Sequence, residues 1–192
     1  MDRLDHHVMW TPWEGPGLEH LHLRQERGSI VADGVIIGLA EGAPFRVRYT
    51  IACDDRWRLR AADVVSLGND RRELHLRADG TGVWTNEAGQ PLPDLAGCIE
   101  VDISATPFTN TLPIRRLDLR PGDSRDVPVA YIAIPDFTLR QVPQRYTRLD
   151  ARADEALYLY EGLLWDFRAE LPVDGDGVVT DYPGLFRRVW AR

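Results

Sequence analysis

The chain has 192 residues, 44% hydrophobic and 28% charged, with a formal net charge of -7; this excludes wholesale disorder and argues against nucleic acid or an anionic membrane as partners. All its basic residues are arginine and none is lysine, which excludes Schiff-base chemistry and a phosphate-loop lysine. No apolar run approaches the roughly 18 residues needed to span a bilayer, and one domain over residues 1–192 is expected.

In chain order, the dominant pattern is alternation in short runs. Leu18 to Leu23 is the first, followed by Phe45 to Ile51, where Phe45, Val47, Tyr49 and Ile51 share one face and Arg46, Arg48 and Thr50 the other. Trp57 to Arg60, Glu73 to Arg77 and Ile99 to Ile103 repeat the style, as do Val127 to Ile134, Leu139 to Leu149, Leu157 to Glu161 and Trp165 to Leu171. Val178 to Tyr182 and Leu185 to Trp190 end the series. Asp33-Gly34 and Asp79-Gly80 signal hairpins, and Asp174 to Gly177 a turn without the later ligands of a calcium loop. Helical signal is confined to Asp150 to Glu161, where Tyr158 and Tyr160 still favour a strand. So many short strands imply an all-β, mainly antiparallel fold: a curled many-stranded β-roll or open barrel with little helix.

The most unusual stretch runs from Ser104 to Arg116. It has no helical period, and Pro107 and Pro113 predict extended backbone at Thr106 and Leu112. Thr109, Asn110 and Thr111 offer neutral hydrogen-bonding groups beside Arg115 and Arg116. Two readings follow, a rigid crossover whose threonines satisfy backbone and a polar lining for a hydroxylated ligand. On an extended strand Arg115 shares parity with Leu117 and Leu119, which places it inside and Arg116 outside.

Enzyme templates fit poorly: there is no G-x-S-x-G, no H-E-x-x-H and no phosphate cradle. Glu100 and Asp102 share one strand face, as paired acids do in glycosidases. A cross-strand ladder with Arg46, Arg48, Arg58 or Arg60 is the favoured explanation. The alternative is a small metal-independent enzyme that uses Glu100 and Asp102 with Arg115 or Arg116. His20 and His22 share a face and would need Glu19 or His75 to complete a metal site, so no metal and no cofactor is expected. The six tryptophans offer stacking faces, but most are assigned to the core. Leu185-Phe186, after Pro183-Gly184, reads as an apolar plug on a closing strand. Cys53 and Cys98, in a sequence without a basic–apolar leader, are expected as free thiols in a cytoplasmic protein.

Ile99 to Arg116, Tyr49 to Asp54 with Trp57-Arg58, Gln144 to Thr147, and Asp174 with Gly177 to Phe186 together resemble the bacterial family called “putative glycolipid-binding”, formerly a domain of unknown function. The resemblance covers essentially the whole chain, although Glu100 stands where an aspartate is expected. It implies a β-roll similar to the lipoprotein-carrier folds, a small amphipathic ligand such as a glycolipid, and no catalytic residues. The candidate ligand-binding residues are Trp57, Glu100, Asp102, Thr106, Thr109, Asn110, Thr111, Arg115, Arg116 and Tyr146.

Overall fold

The computed structural model describes residues 4–68, 71–152 and 155–192. Seven strands follow one another across the first sheet: β1 (Asp5–Pro12), β2 (Gly17–Glu26), β3 (Ser29–Ala40), β4 (Ala43–Asp54), β5 (Leu59–Ser66), β6 (Glu73–Ala78) and β7 (Trp84–Asn86). A second sheet is built from β8 (Glu100–Ile103), β9 (Ser124–Ala133), β10 (Thr138–Arg152), β11 (Glu155–Gly162) and β12 (Phe167–Val173), in the order β12-β11-β10-β9-β8. The chain then returns to the first sheet, where β13 (Asp181–Tyr182) and β14 (Phe186–Ala191) extend its β1 edge to nine strands. The sheets are largely antiparallel, with β8 parallel to β9, and neither closes into a barrel. Among the described residues no helix is long and apolar enough to cross a membrane.

Alternation builds these strands as the sequence predicts. On β4, Val47, Tyr49, Ile51 and Cys53 are buried while Arg46 and Arg48 face water, and on β2 the inward positions are Glu19, Leu21 and Leu23. The two-residue turns lie elsewhere than expected. Arg27-Gly28 and Glu41-Gly42 carry positive φ at both residues and close β2–β3 and β3–β4. Asp33-Gly34 instead sits inside β3, directly opposite Thr50 and Tyr49. A Cβ on Gly34 would lie 2.1 Å from the Tyr49 ring, so this glycine makes room for an aromatic to lie across its strand. Asp79-Gly80 does belong to a hairpin, a longer loop in which Asp79 accepts the Thr81 and Val83 amides. Asp174 closes its turn in the same way through the Asp176 and Val178 amides. Asp150 to Glu161 contains no described helix; it comprises the end of β10 and most of β11, with residues 153 and 154 outside the described region.

Helix forms where extended chain was expected. A 3-10 turn (Phe108–Asn110) runs into α1 (Thr111–Leu117), which ends at Asp118 in the left-handed region. Neither proline opposes this. Pro107 stands just before the 3-10 turn, and Pro113 lies in the first turn of α1, where an amide has no intrahelical acceptor. The inserted segment fills the space between the sheets. Phe108 and Leu112 join the core under the nine-stranded sheet, and Ile114 joins the core on the covered face of the five-stranded one. Tyr49 stacks on Phe108 at 6.3 Å.

Trp10, Trp57 and Trp84 are buried, whereas Trp13, Trp165 and Trp190 are exposed, so half of the tryptophans are core rather than most. Cys53 and Cys98 are free and buried, and burial raises both thiols, Cys53 to about 12.

Candidate functional site

The helical turn rewrites the geometry of the arginines. A residue in a helix advances by about 100° rather than 180°, so Arg115 projects outward, with its guanidinium 5.3 Å from the centre of the Trp57 ring. Arg116 turns inward and pairs with Glu100, which is 1% exposed. The assignment of Arg115 to the interior is therefore reversed. The expected ladder between Glu100 or Asp102 and the arginines of β4 and β5 does not form either. Arg48 pairs with Asp33 and Arg60 with Asp54, because β8 belongs to the other sheet. Burial raises the Glu100 carboxyl and the Arg116 guanidinium opposes the rise.

Two threonines of the inserted segment make matching contacts, one toward each sheet. Thr106 Oγ1 accepts the Phe108 amide (3.0 Å) and donates to Glu19 Oε1 on β2 (2.7 Å). Thr109 Oγ1 accepts the Ile103 amide (3.3 Å) and donates to Asp102 Oδ1 on β8 (2.8 Å). The Tyr49 hydroxyl, carried across β3 by the gap at Gly34, also donates to Glu19 Oε1. Gln144 Nε2 donates to Asp102 Oδ2 (2.6 Å), and Tyr146 donates to Asn110 Oδ1 (2.8 Å). Burial pushes Glu19 up to about 7 against the donors Tyr49 and Thr106, and raises Asp102 against Thr109 and Gln144. Both acids are thus biased toward the neutral form.

Two chambers open over this layer. One, of about 380 Å³, has Asp102, Thr106 and Asn110 among its polar lining and aromatic walls that include Tyr131, Tyr160 and Trp165. Trp165 packs against Tyr131 at 5.2 Å, and Arg140 stands over both rings. The other chamber, of about 370 Å³, is lined mainly by apolar side chains such as Leu18, Ile36, Ile37, Leu39 and Phe45, with Glu19 also on its wall. Ser104, Leu185 and Phe186 line both, so the chambers adjoin. Leu185, expected as a plug, is 40% exposed at this shared wall, while β14 does close the sheet edge.

The predicted residues thus separate. Asp102, Thr106 and Asn110 line the aromatic chamber, and Thr109 and Tyr146 hold it from behind. Glu100 lies in the ion pair, and Thr111 is fully buried. Trp57, Arg115 and Arg116 line a separate surface cleft. Glu19 and Tyr49 were missed as parts of the site. Glu19 is visible in the sequence as a charge at the same parity as Leu21 and Leu23, and Tyr131, Tyr160 and Tyr182 are tyrosines at strand positions with no individual mark.

A family model described as “Putative glycolipid-binding” matches residues 7–188. No curated protein matches. The chain is similar to the crystal structure of a DUF1089 family protein from Pseudomonas aeruginosa, at 40% identity and a TM-score of 0.77, over 92% of this chain and 95% of that one.

Proposed function

Since the chain belongs to the “Putative glycolipid-binding” family, we propose that it binds an amphipathic lipid, with a sugar-like head in the aromatic chamber and a tail in the apolar one. The observation that carries this reading is the shared wall at Ser104, Leu185 and Phe186, which joins an aromatic space bordered by Asp102, Thr106 and Asn110 to a space walled largely by aliphatic side chains. Each chamber has a volume in the ~300–1,000 Å³ range of small-molecule sites. Aromatic faces suit the C–H faces of a sugar ring, and Asp102, Thr106 and Asn110 supply hydrogen-bonding groups for hydroxyls. The free thiols suit a reducing, cytoplasmic setting.

The enzymatic alternative has one point in its favour, the raised carboxyl of Asp102 in a cavity. Its proposed partners do not converge there, because Arg116 is held by Glu100 and Arg115 lies at the other cleft. Binding is therefore the stronger reading.

The test is tryptophan fluorescence titrated with an alkyl glycoside below its micelle concentration, beside the free sugar and a fatty acid of matching length. The joined molecule should bind more tightly than either part, and Trp165→Ala should weaken it about tenfold, in line with ~1–3 kcal/mol for a lost aromatic stack. Equal binding of the separate parts and the joined molecule would refute the two-chamber arrangement. Recovery of cleaved glycoside would favour the enzyme.

A further inference from the structure

The inward parity of Val8 and Trp10 on β1 and of Glu19, Leu21 and Leu23 on β2 leaves Asp5, His7, His20 and His22 on the outer face. There the antiparallel register sets His7 directly opposite His22, and His20 stands two residues along the same face. His7 Nδ1 and His20 Nε2 are 3.0 Å apart, close enough to share one proton. His22 Nε2 lies 2.7 Å from Asp5 Oδ1. The His7 ring stacks on His22 with centroids 4.1 Å apart and on His20 at 5.2 Å. Like-charged imidazolium rings would repel at these distances. A neutral imidazole offers a lone pair at one ring nitrogen and a proton at the other.

We propose that Asp5, His7 and His22 form a binding site for a divalent transition metal of the zinc class, with His20 as the positioning residue. One ligand atom from each of the three lies within 4.8 Å of the others. Two imidazoles and a carboxylate are a donor set for zinc, copper or nickel rather than for calcium or magnesium, which take oxygen ligands. His20 holds His7 Nδ1, which leaves Nε2 for the metal and fixes the tautomer, as an outer hydrogen-bond partner does at a metal site. His7 keeps its bond to His20 while the His22 ring turns about χ2 to bring its in-plane lone pair toward the same point, a motion open to a surface side chain that is 31% exposed. A bound ion would staple β1 to β2. Sequence spacing did not lead here. His20 and His22 were visible as a pair, but Glu19 points into the core and His75 bonds Asp63 and Glu73 on other strands, while Asp5 and His7 come from β1.

The test uses the full chain without an affinity tag, titrated with zinc chloride by calorimetry in a non-chelating buffer at neutral pH. One ion per chain should bind, and excess magnesium should not displace it. His7→Ala and His22→Ala should each weaken uptake more than tenfold, and His20→Ala should weaken it by about ten- to a hundredfold, as for an outer-shell partner. His75→Ala should leave uptake unchanged. These residues lie on a solvated face, and far-ultraviolet circular dichroism confirms that each variant is folded. No saturable uptake by the parent chain, or uptake that survives the His7→Ala/His22→Ala double variant, overturns the site.

Discussion

The two halves of the inserted segment handle buried acids in opposite ways. In the first half, Thr106 and Thr109 meet Glu19 and Asp102 with neutral hydroxyl donors. In the second, α1 swings Arg116 against Glu100 and supplies a full counter-charge. The chambers open only over the first half. A charge pair makes a strong anchor because neither partner tolerates loss of the other, whereas a hydrogen bond from a neutral hydroxyl to a carboxyl is lost at lower cost. One half anchors, and the other borders the chambers.

The largest expected effect breaks the anchor. Arg116→Ala leaves Glu100 buried without its cation and should cost about 3–5 kcal/mol in urea unfolding. If Arg116→Ala is as stable as the parent, the contrast between the halves is wrong.

Next comes the pH dependence of the first half. Burial moves Glu19 from an ordinary 4.5 in the unfolded chain up to about 7 in the fold, so the folded chain holds the proton more tightly. The Glu19 contribution is therefore fully present below pH 4.5, declines as pH rises, and is lost above about 7. The span corresponds to about 3 kcal/mol. Glu19→Gln keeps the shape and cannot ionise, so the stability difference between it and the parent should grow across this window. A constant difference would mean that Glu19 titrates normally.

A smaller effect sharpens the link from β3 to the site. Gly34→Ala drives a methyl into the Tyr49 ring, should cost about 1–3 kcal/mol, and should shift the Glu19 titration by withdrawing the Tyr49 donor. An unchanged Glu19 titration by carboxyl nuclear magnetic resonance would show that Tyr49 does not depend on the gap. The smallest effect is Arg115→Ala, which loses a surface cation–π contact with Trp57 and should cost under ~1 kcal/mol in the same unfolding assay. A cost equal to that of Arg116→Ala would restore Arg115 to a structural role.

Alternation alone determined much about this protein. A period of two over Phe45 to Ile51 or Ile99 to Ile103 commits one face of each strand to the dry side wherever the strand pairs, so the all-β class and much of the core were legible. The Ser104 to Arg116 block was visible as the centre of the chain through its composition, and Asp102, Thr106 and Asn110 were legible as polar groups within it. Its conformation was not. A proline before a helix and one in its first turn look locally like extended chain, and only packing of Phe108, Leu112 and Ile114 between two sheets makes the turn worthwhile. That packing also decided which arginine meets Glu100, because side-chain direction follows the backbone period. Strand pairing likewise decided the rest: it turned Asp33-Gly34 from a turn into a seat for Tyr49, gave Glu19 its buried partners, and gathered histidines from β1 and β2 on one face. Such contacts join residues far apart in the chain, and local pattern carries no information about which strand will lie beside which.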